Sequence, residues 1–80
     1  MEELIQKIIL KAYKISTKTK ADVFVDYSGH VNSICIYFYK NGWQEDVEWD
    51  FRLDFSLEIE KEAISKLEFT LKQLEKLEEK

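Results

Sequence analysis

The chain has 80 residues, 45% of them apolar and 14% aromatic, with one cysteine, one histidine, no proline and a formal net charge of −4. That length fits one domain burying only about 60% of its unfolded surface, and the apolar share argues against disorder despite 35% charged residues. Cys35 has no partner for an internal disulfide, and with His30 it cannot complete a tetrahedral zinc site, so neither a metal nor a cofactor is expected.

A single thiol suits a reducing compartment. The start, Met1-Glu2-Glu3, is acidic where a signal peptide is basic, and no apolar run approaches the roughly 20 residues of a membrane span. The expectation is a soluble cytoplasmic protein with no membrane contact. Its charge is uneven. Residues 1–20 hold five lysines and two glutamates, residues 21–60 hold nine acids against Lys40 and Arg52, and residues 61–80 balance at five and five.

Leu4, Ile5, Ile8, Ile9, Ala12 and Ile15 recur at intervals of one, three and four, which places them on one face of a helix over about 2–15. Ser16-Thr17-Lys18-Thr19-Lys20 weakens its continuation. The period then becomes two. Val23, Val25 and Tyr27 alternate with Asp22, Phe24 and Asp26, and Ser28-Gly29-His30 supplies turn chemistry. Val31–Tyr39 is β-branched and aromatic, and Asn41-Gly42 signals a type I′ hairpin. Val47, Trp49, Phe51, Leu53 and Phe55 alternate with Asp46, Glu48, Asp50, Arg52 and Asp54.

With Asn41-Gly42 as the loop, Lys40 faces Trp43, Ile36 faces Val47 and Ile34 faces Trp49, while Tyr37 meets Asp46, Cys35 meets Glu48 and Ser33 meets Asp50. Phe38 opposite Glu45 is the one mismatch. Ser56 reads as an N-cap with Glu58 and Glu60 in the first turn of a helix over about 57–78. Its stripe is Ala63, Ile64, Leu67, Leu71 and Leu74, flanked by Leu57, Ile59 and Leu77.

The predicted architecture is α+β, an αβββα domain over 1–80 whose three-stranded antiparallel sheet carries both helices on one face. Val23, Val25, Ile34, Ile36, Val47, Trp49 and Phe51 form its inner layer. The outer face carries Phe24, Cys35, Tyr37 and Tyr39 among Asp22, Asp26, Asp46, Glu48 and Asp50.

That acidic, aromatic face reads as a docking site for a basic partner, with Phe24, Tyr37 and Tyr39 as exposed anchors. The competing reading is the solvated side of an antiparallel sheet. Lys7, Lys11, Lys14, Lys18 and Lys20 form a basic stripe suited to an anionic partner or simply to the wet side of a helix. Leu10 and Phe69 fall about 160° from the centres of their helix stripes and mark a candidate homodimer contact. His30, Cys35 and the scattered carboxylates form no catalytic constellation, and only Gly29 and Gly42 are present to build a phosphate loop, so no enzyme activity is expected.

The order helix, three strands, helix resembles the double-stranded RNA-binding domain, and Gly29-His30 resembles that family's Gly-Pro-x-His loop. The family's basic Lys-Lys-x-Ala-Lys cluster at the second helix is here Ser56-Leu57-Glu58-Ile59-Glu60-Lys61. The resemblance therefore implies topology and argues against direct nucleic-acid binding. The segment Val25-Asp26-Tyr27-Ser28-Gly29-His30-Val31 through Tyr37-Phe38-Tyr39-Lys40-Asn41-Gly42-Trp43 is similar to small uncharacterised proteins of Gram-positive phages and prophages. That similarity implies a phage accessory protein, a class that includes acidic inhibitors of host defence and of CRISPR nucleases. Three readings stay open: such an inhibitor docking on a basic host or phage protein, a homo-oligomeric module joined through helix 2, and a nucleic-acid binder using the helix 1 lysines.

Overall fold

The computed structural model describes residues 1–79. Helix α1 spans Glu2–Lys18, strands β1, β2 and β3 span Asp22–Ser28, Ser33–Tyr39 and Phe51–Ser56, and helix α2 spans Glu60–Glu78. The strands form an antiparallel meander in the order β1-β2-β3. Both helices pack on the face that presents Ile34, Ile36 and Phe38, so the αβββα architecture and the α+β class hold.

α1 runs one turn past Ile15 because its hydroxyl residues serve the helix end. Thr17 donates to the Tyr13 carbonyl at 2.8 Å, and Thr19 donates to the Ile15 carbonyl from both its hydroxyl and its backbone N–H. Each β-strand reverses direction, which leaves the two helices running the same way, side by side. Parallel helix dipoles oppose one another, and the sequence offsets this with Glu2, Glu3, Glu60 and Glu62 in the first turns and Lys18 and Lys76 in the last. Lys11 reaches across to Glu78 at 2.5 Å.

The β2–β3 register departs from the expected hairpin. Asn41-Gly42 does turn the chain, with the Gly42 N–H donating to the Tyr39 carbonyl. Only Gly42 has a positive φ there, at 89°, so the turn is not type I′. Residues 40–50 then form a loop, and pairing resumes six positions later than expected. Ile36 faces Leu53 instead of Val47, Ile34 faces Phe55 instead of Trp49, and Phe38 faces Phe51 instead of Glu45.

The longer loop costs about 1.5 kcal/mol more closure entropy than a two-residue one. Burying Phe55 and stacking Phe51 on Phe38 at 5.1 Å returns more, since one buried large apolar side chain is worth about 1.5–3 kcal/mol. The displaced residues leave the inner layer. Val47 and Trp49 are half-exposed, and Trp43 is 57% exposed.

Two further boundaries move. β2 begins at Ser33, because Val31 lies in the turn that ends at Asn32, a left-handed residue with φ 47°. Ser56 is not an N-cap. It pairs with Ser33 as the last residue of β3, and the Leu57 N–H still donates to the Asn32 carbonyl. Leu57 is thus buried as an extension of the sheet, Ile59 is exposed, and α2 starts at Glu60. Thr70, absent from the expected stripe, is fully buried, with its hydroxyl satisfied by the Lys66 carbonyl. Among the described residues, no helix is long and apolar enough to cross a membrane.

Candidate functional site

The outer face of the sheet is laid out in cross-strand rows fixed by the register. One row is Asp26–Cys35–Asp54, and the next is Phe24–Tyr37–Arg52. Beyond these, Asp22 pairs with Tyr39 at the end where the 40–50 loop returns. Alternation along each strand dictates this arrangement, because Val23, Val25, Ile34, Ile36, Phe38, Phe51, Leu53 and Phe55 are drawn to the helices.

Phe24 and Tyr37 stack at 4.8 Å with planes 6° apart. Tyr39 meets both rings edge-on, at 5.9 and 6.2 Å. Trp49 leans in from the loop, edge to Tyr37 at 6.5 Å, and the Arg52 guanidinium lies 5.2 Å from the Trp49 ring centre. Asp26, Cys35, Tyr37, Tyr39, Trp49 and Arg52 together line an open concavity of about 500 Å³.

Burial pushes the Tyr37 phenol above its ordinary value, and the Asp26 carboxylate adds to the shift. The phenol is therefore neutral near pH 7 and can donate a hydrogen bond at the rim of the concavity.

The expected docking residues divide by what they do. Phe24, Asp26 and Tyr37 lie together on the outer face, with Phe24 and Tyr37 partly exposed. Tyr39 points the same way but is only 7% exposed, so its expectation as an exposed anchor is corrected. Its ring is covered by its aromatic neighbours and supports the platform.

Asp22 is a structural staple, its carboxylate accepting the Trp43 N–H at 2.8 Å. Asp50 does the same for the Lys40 N–H at 2.7 Å, and its own N–H donates to the Phe38 carbonyl. Asp46, Glu48 and Asp50 belong to the loop and not to a sheet row, because pairing starts only at Phe51. Asp46 sits in left-handed conformation at φ 67°. Sequence reasoning missed Trp49, Arg52 and Asp54 as members of this face. Arg52 and Asp54 carried the signal in their alternation with Phe51, Leu53 and Phe55, which any register of the right parity keeps on the outer side.

Three of the helix 1 lysines, Lys11, Lys14 and Lys18, lie near the Glu78 carboxylate. Lys11 pairs with Glu78, and Lys14 and Lys18 lie near enough to help hold the Glu78 carboxyl below its usual value, after the Lys11 hydrogen bond. Leu10 and Phe69 do not form one patch. Leu10 lines the α1–α2 groove with Leu71, whereas the Phe69 ring lies 6.2 Å from that of Phe51, on the β3 side of α2.

His30 is exposed in the β1–β2 turn, and Cys35 is partly buried between two carboxylate strands. Among the described residues, no cluster of three or more histidine, cysteine or acidic side chains is placed to hold a metal ion. No protein-family model, curated protein or solved structure matches the chain.

Proposed function

We propose that the chain acts by binding, without catalysis, as a phage-type accessory protein that docks its outer sheet face on a basic partner. A host defence nuclease is the partner class that the resemblance to phage accessory proteins implies. The observation that carries this reading is the aromatic row Phe24–Tyr37, extended by Trp49 and bordered by Asp26 and Asp54.

Aromatic residues on a partly exposed, rigid platform offer contact area at little entropic cost, which is how interface anchors work. Asp26 and Asp54 border the row, and exposed Glu45, Asp46 and Glu48 lie in the 40–50 loop, all within a segment of nine acids and two cations. They steer a cationic partner into place and set its association rate. Cross-strand aromatic pairs also stabilise the sheet, and the partial exposure of Phe24, Tyr37 and Trp49 leaves ring surface open to a partner. The same acids argue against direct contact with nucleic-acid phosphate.

The test is capture of purified, guide-loaded CRISPR nucleases and other basic defence nucleases on immobilised chain, with inhibition of cleavage as the second readout. Tyr37→Ala combined with Asp26→Lys should abolish capture and inhibition while the fold is retained. The Asp26→Lys effect alone should fade at high salt, because it acts through screened steering. Undiminished capture by the double variant refutes the assignment of this face.

A further inference from the structure

The two edges of the sheet are protected very differently. The Val23 N–H donates to the Ser16 hydroxyl, which fixes the parity of β1: Val23, Val25 and Tyr27 turn their backbone groups outward, and Asp22, Phe24 and Asp26 bond to β2. On β3, the Leu57 N–H bonds to the Asn32 carbonyl, so the outward residues are Arg52 and Asp54, and these form an ion pair at 3.5 Å. The β3 edge thus carries the charges that normally block pairing with another chain. On β1 the outward positions Val23, Val25 and Tyr27 are uncharged, and the strand's acids Asp22 and Asp26 sit at the positions bonded to β2.

Beneath that bare edge runs a groove of about 400 Å³ between β1 and α1, floored by Ile5, Val23 and Val25 and rimmed by Ile9, Tyr13 and Tyr27. None of its lining residues carries a charge, in a chain with 35% charged residues. Ile9, Tyr13 and Tyr27 are 51%, 66% and 57% exposed.

We propose that β1 pairs with β1 of a second copy, antiparallel about Val25, joining two sheets into one six-stranded sheet. This goes beyond the docking function and does not depend on it. The sequence of β1 is self-complementary in that register. On the helix side Val25 meets Val25 and Val23 meets Tyr27. On the outer side Phe24 meets Asp26 and Asp22 meets Ser28, with no carboxylate opposite another. Shifting the axis by one to Phe24 would set Asp22 against Asp26, and shifting it to Asp26 would set that carboxylate against its own copy, so charge disfavours both, while Val25 keeps the most strand residues paired.

The two Val25 residues exchange both backbone bonds, and each Val23 carbonyl accepts from Tyr27 of the other copy. Because α1 runs antiparallel to β1, the same two-fold axis brings Ile9 and Tyr13 against Tyr13 and Ile9 of the second helix. A contact confined to one groove and one short strand edge belongs with the small interfaces, below the roughly 1,200 Å² at which specific complexes begin. The dimer is therefore weak and reversible. It also makes the two outer faces continuous, doubling the aromatic and acidic surface.

Analytical ultracentrifugation over a wide concentration range tests this on the full chain. A monomer–dimer equilibrium is expected, with Tyr13→Lys raising the dissociation constant at least about tenfold and leaving the circular dichroism spectrum unchanged. Val25→Cys in a Cys35→Ser background reads the register, since only a two-fold axis at Val25 brings the two thiols within disulfide reach. Rapid oxidation to a covalent dimer, prevented by Tyr13→Lys, supports the proposal. A monomer at all concentrations overturns it. So does a dimer that resists Tyr13→Lys and is broken by Phe69→Asp, which would place the contact on α2.

Discussion

Replacing Phe55 and Trp49 separately by alanine distinguishes the observed β2–β3 register from the tight hairpin that the sequence favours. Phe55 is 5% exposed, opposite Ile34, and its ring lies 5.7 Å beneath the Lys66 ammonium. Truncating such a core aromatic costs about 3–5 kcal/mol. In a domain of this size each kcal/mol moves the melting temperature by about 4–8 °C, so Phe55→Ala should lose at least about 12 °C.

Trp49 is 49% exposed, edge-on to Tyr37 and beside the Arg52 guanidinium. Its loss removes an edge contact and a partly exposed cation–π contact, together about 1–1.5 kcal/mol, so the melting temperature should fall by about 4–12 °C, less than for Phe55→Ala. Thermal and urea unfolding followed by circular dichroism measure both. A larger loss at Trp49 than at Phe55 would refute the register, because in the tight hairpin Trp49 lies opposite Ile34 in the core.

Gly42 has φ 89°, and a Cβ built on it would lie 3.0 Å from the Lys20 carbonyl oxygen, so Gly42→Ala should cost about 1–3 kcal/mol in urea unfolding. The raised Tyr37 phenol should appear in an absorbance titration as an ionisation above the ordinary tyrosine range, and Tyr37→Phe should remove that step. Its folded-state shift adds stability below the ordinary tyrosine range, and this is lost as pH rises through the shifted value.

For Lys11–Glu78 the Glu78 carboxyl is held low and the Lys11 ammonium high, chiefly by their mutual hydrogen bond. The stability difference between wild type and Glu78→Gln should therefore be fullest between the ordinary carboxylate and lysine ranges. It should vanish at acid pH as Glu78 protonates and at alkaline pH as Lys11 deprotonates. A difference independent of pH would show that the ion pair contributes nothing.

Element order and the identity of each face were legible in the sequence because they rest on period, and period survives a shift of register. Moving the β2–β3 pairing by an even number of residues kept Tyr37 and Cys35 on the outer face and Ile34 and Ile36 on the inner one. What the pattern could not decide was which alternating apolar residues after the turn would pair. Val47, Trp49, Phe51, Leu53 and Phe55 all have the right parity, and the Asn41-Gly42 signal favours the nearest.

The distant set wins because Phe51, Leu53, Phe55 and Leu57 form a longer apolar row and remove Glu45 from Phe38. The same displacement explains the misplaced docking acids. Asp46, Glu48 and Asp50 moved into the loop, and Arg52 and Asp54 took their rows. Asp22 and Asp50 look like any surface carboxylate in sequence, and their roles as loop staples depend on contacts across 21 and 10 residues.

The docking claim is tested most directly by mapping the contact surface itself. Backbone and tryptophan indole resonances of labelled chain would be followed by NMR while a captured basic partner is titrated in. The expected result is perturbation concentrated at Phe24, Asp26, Tyr37, Trp49 and Asp54, with the helix 1 lysines unmoved. Perturbation centred on Lys7, Lys14 and Lys18, with the aromatic row silent, would contradict it.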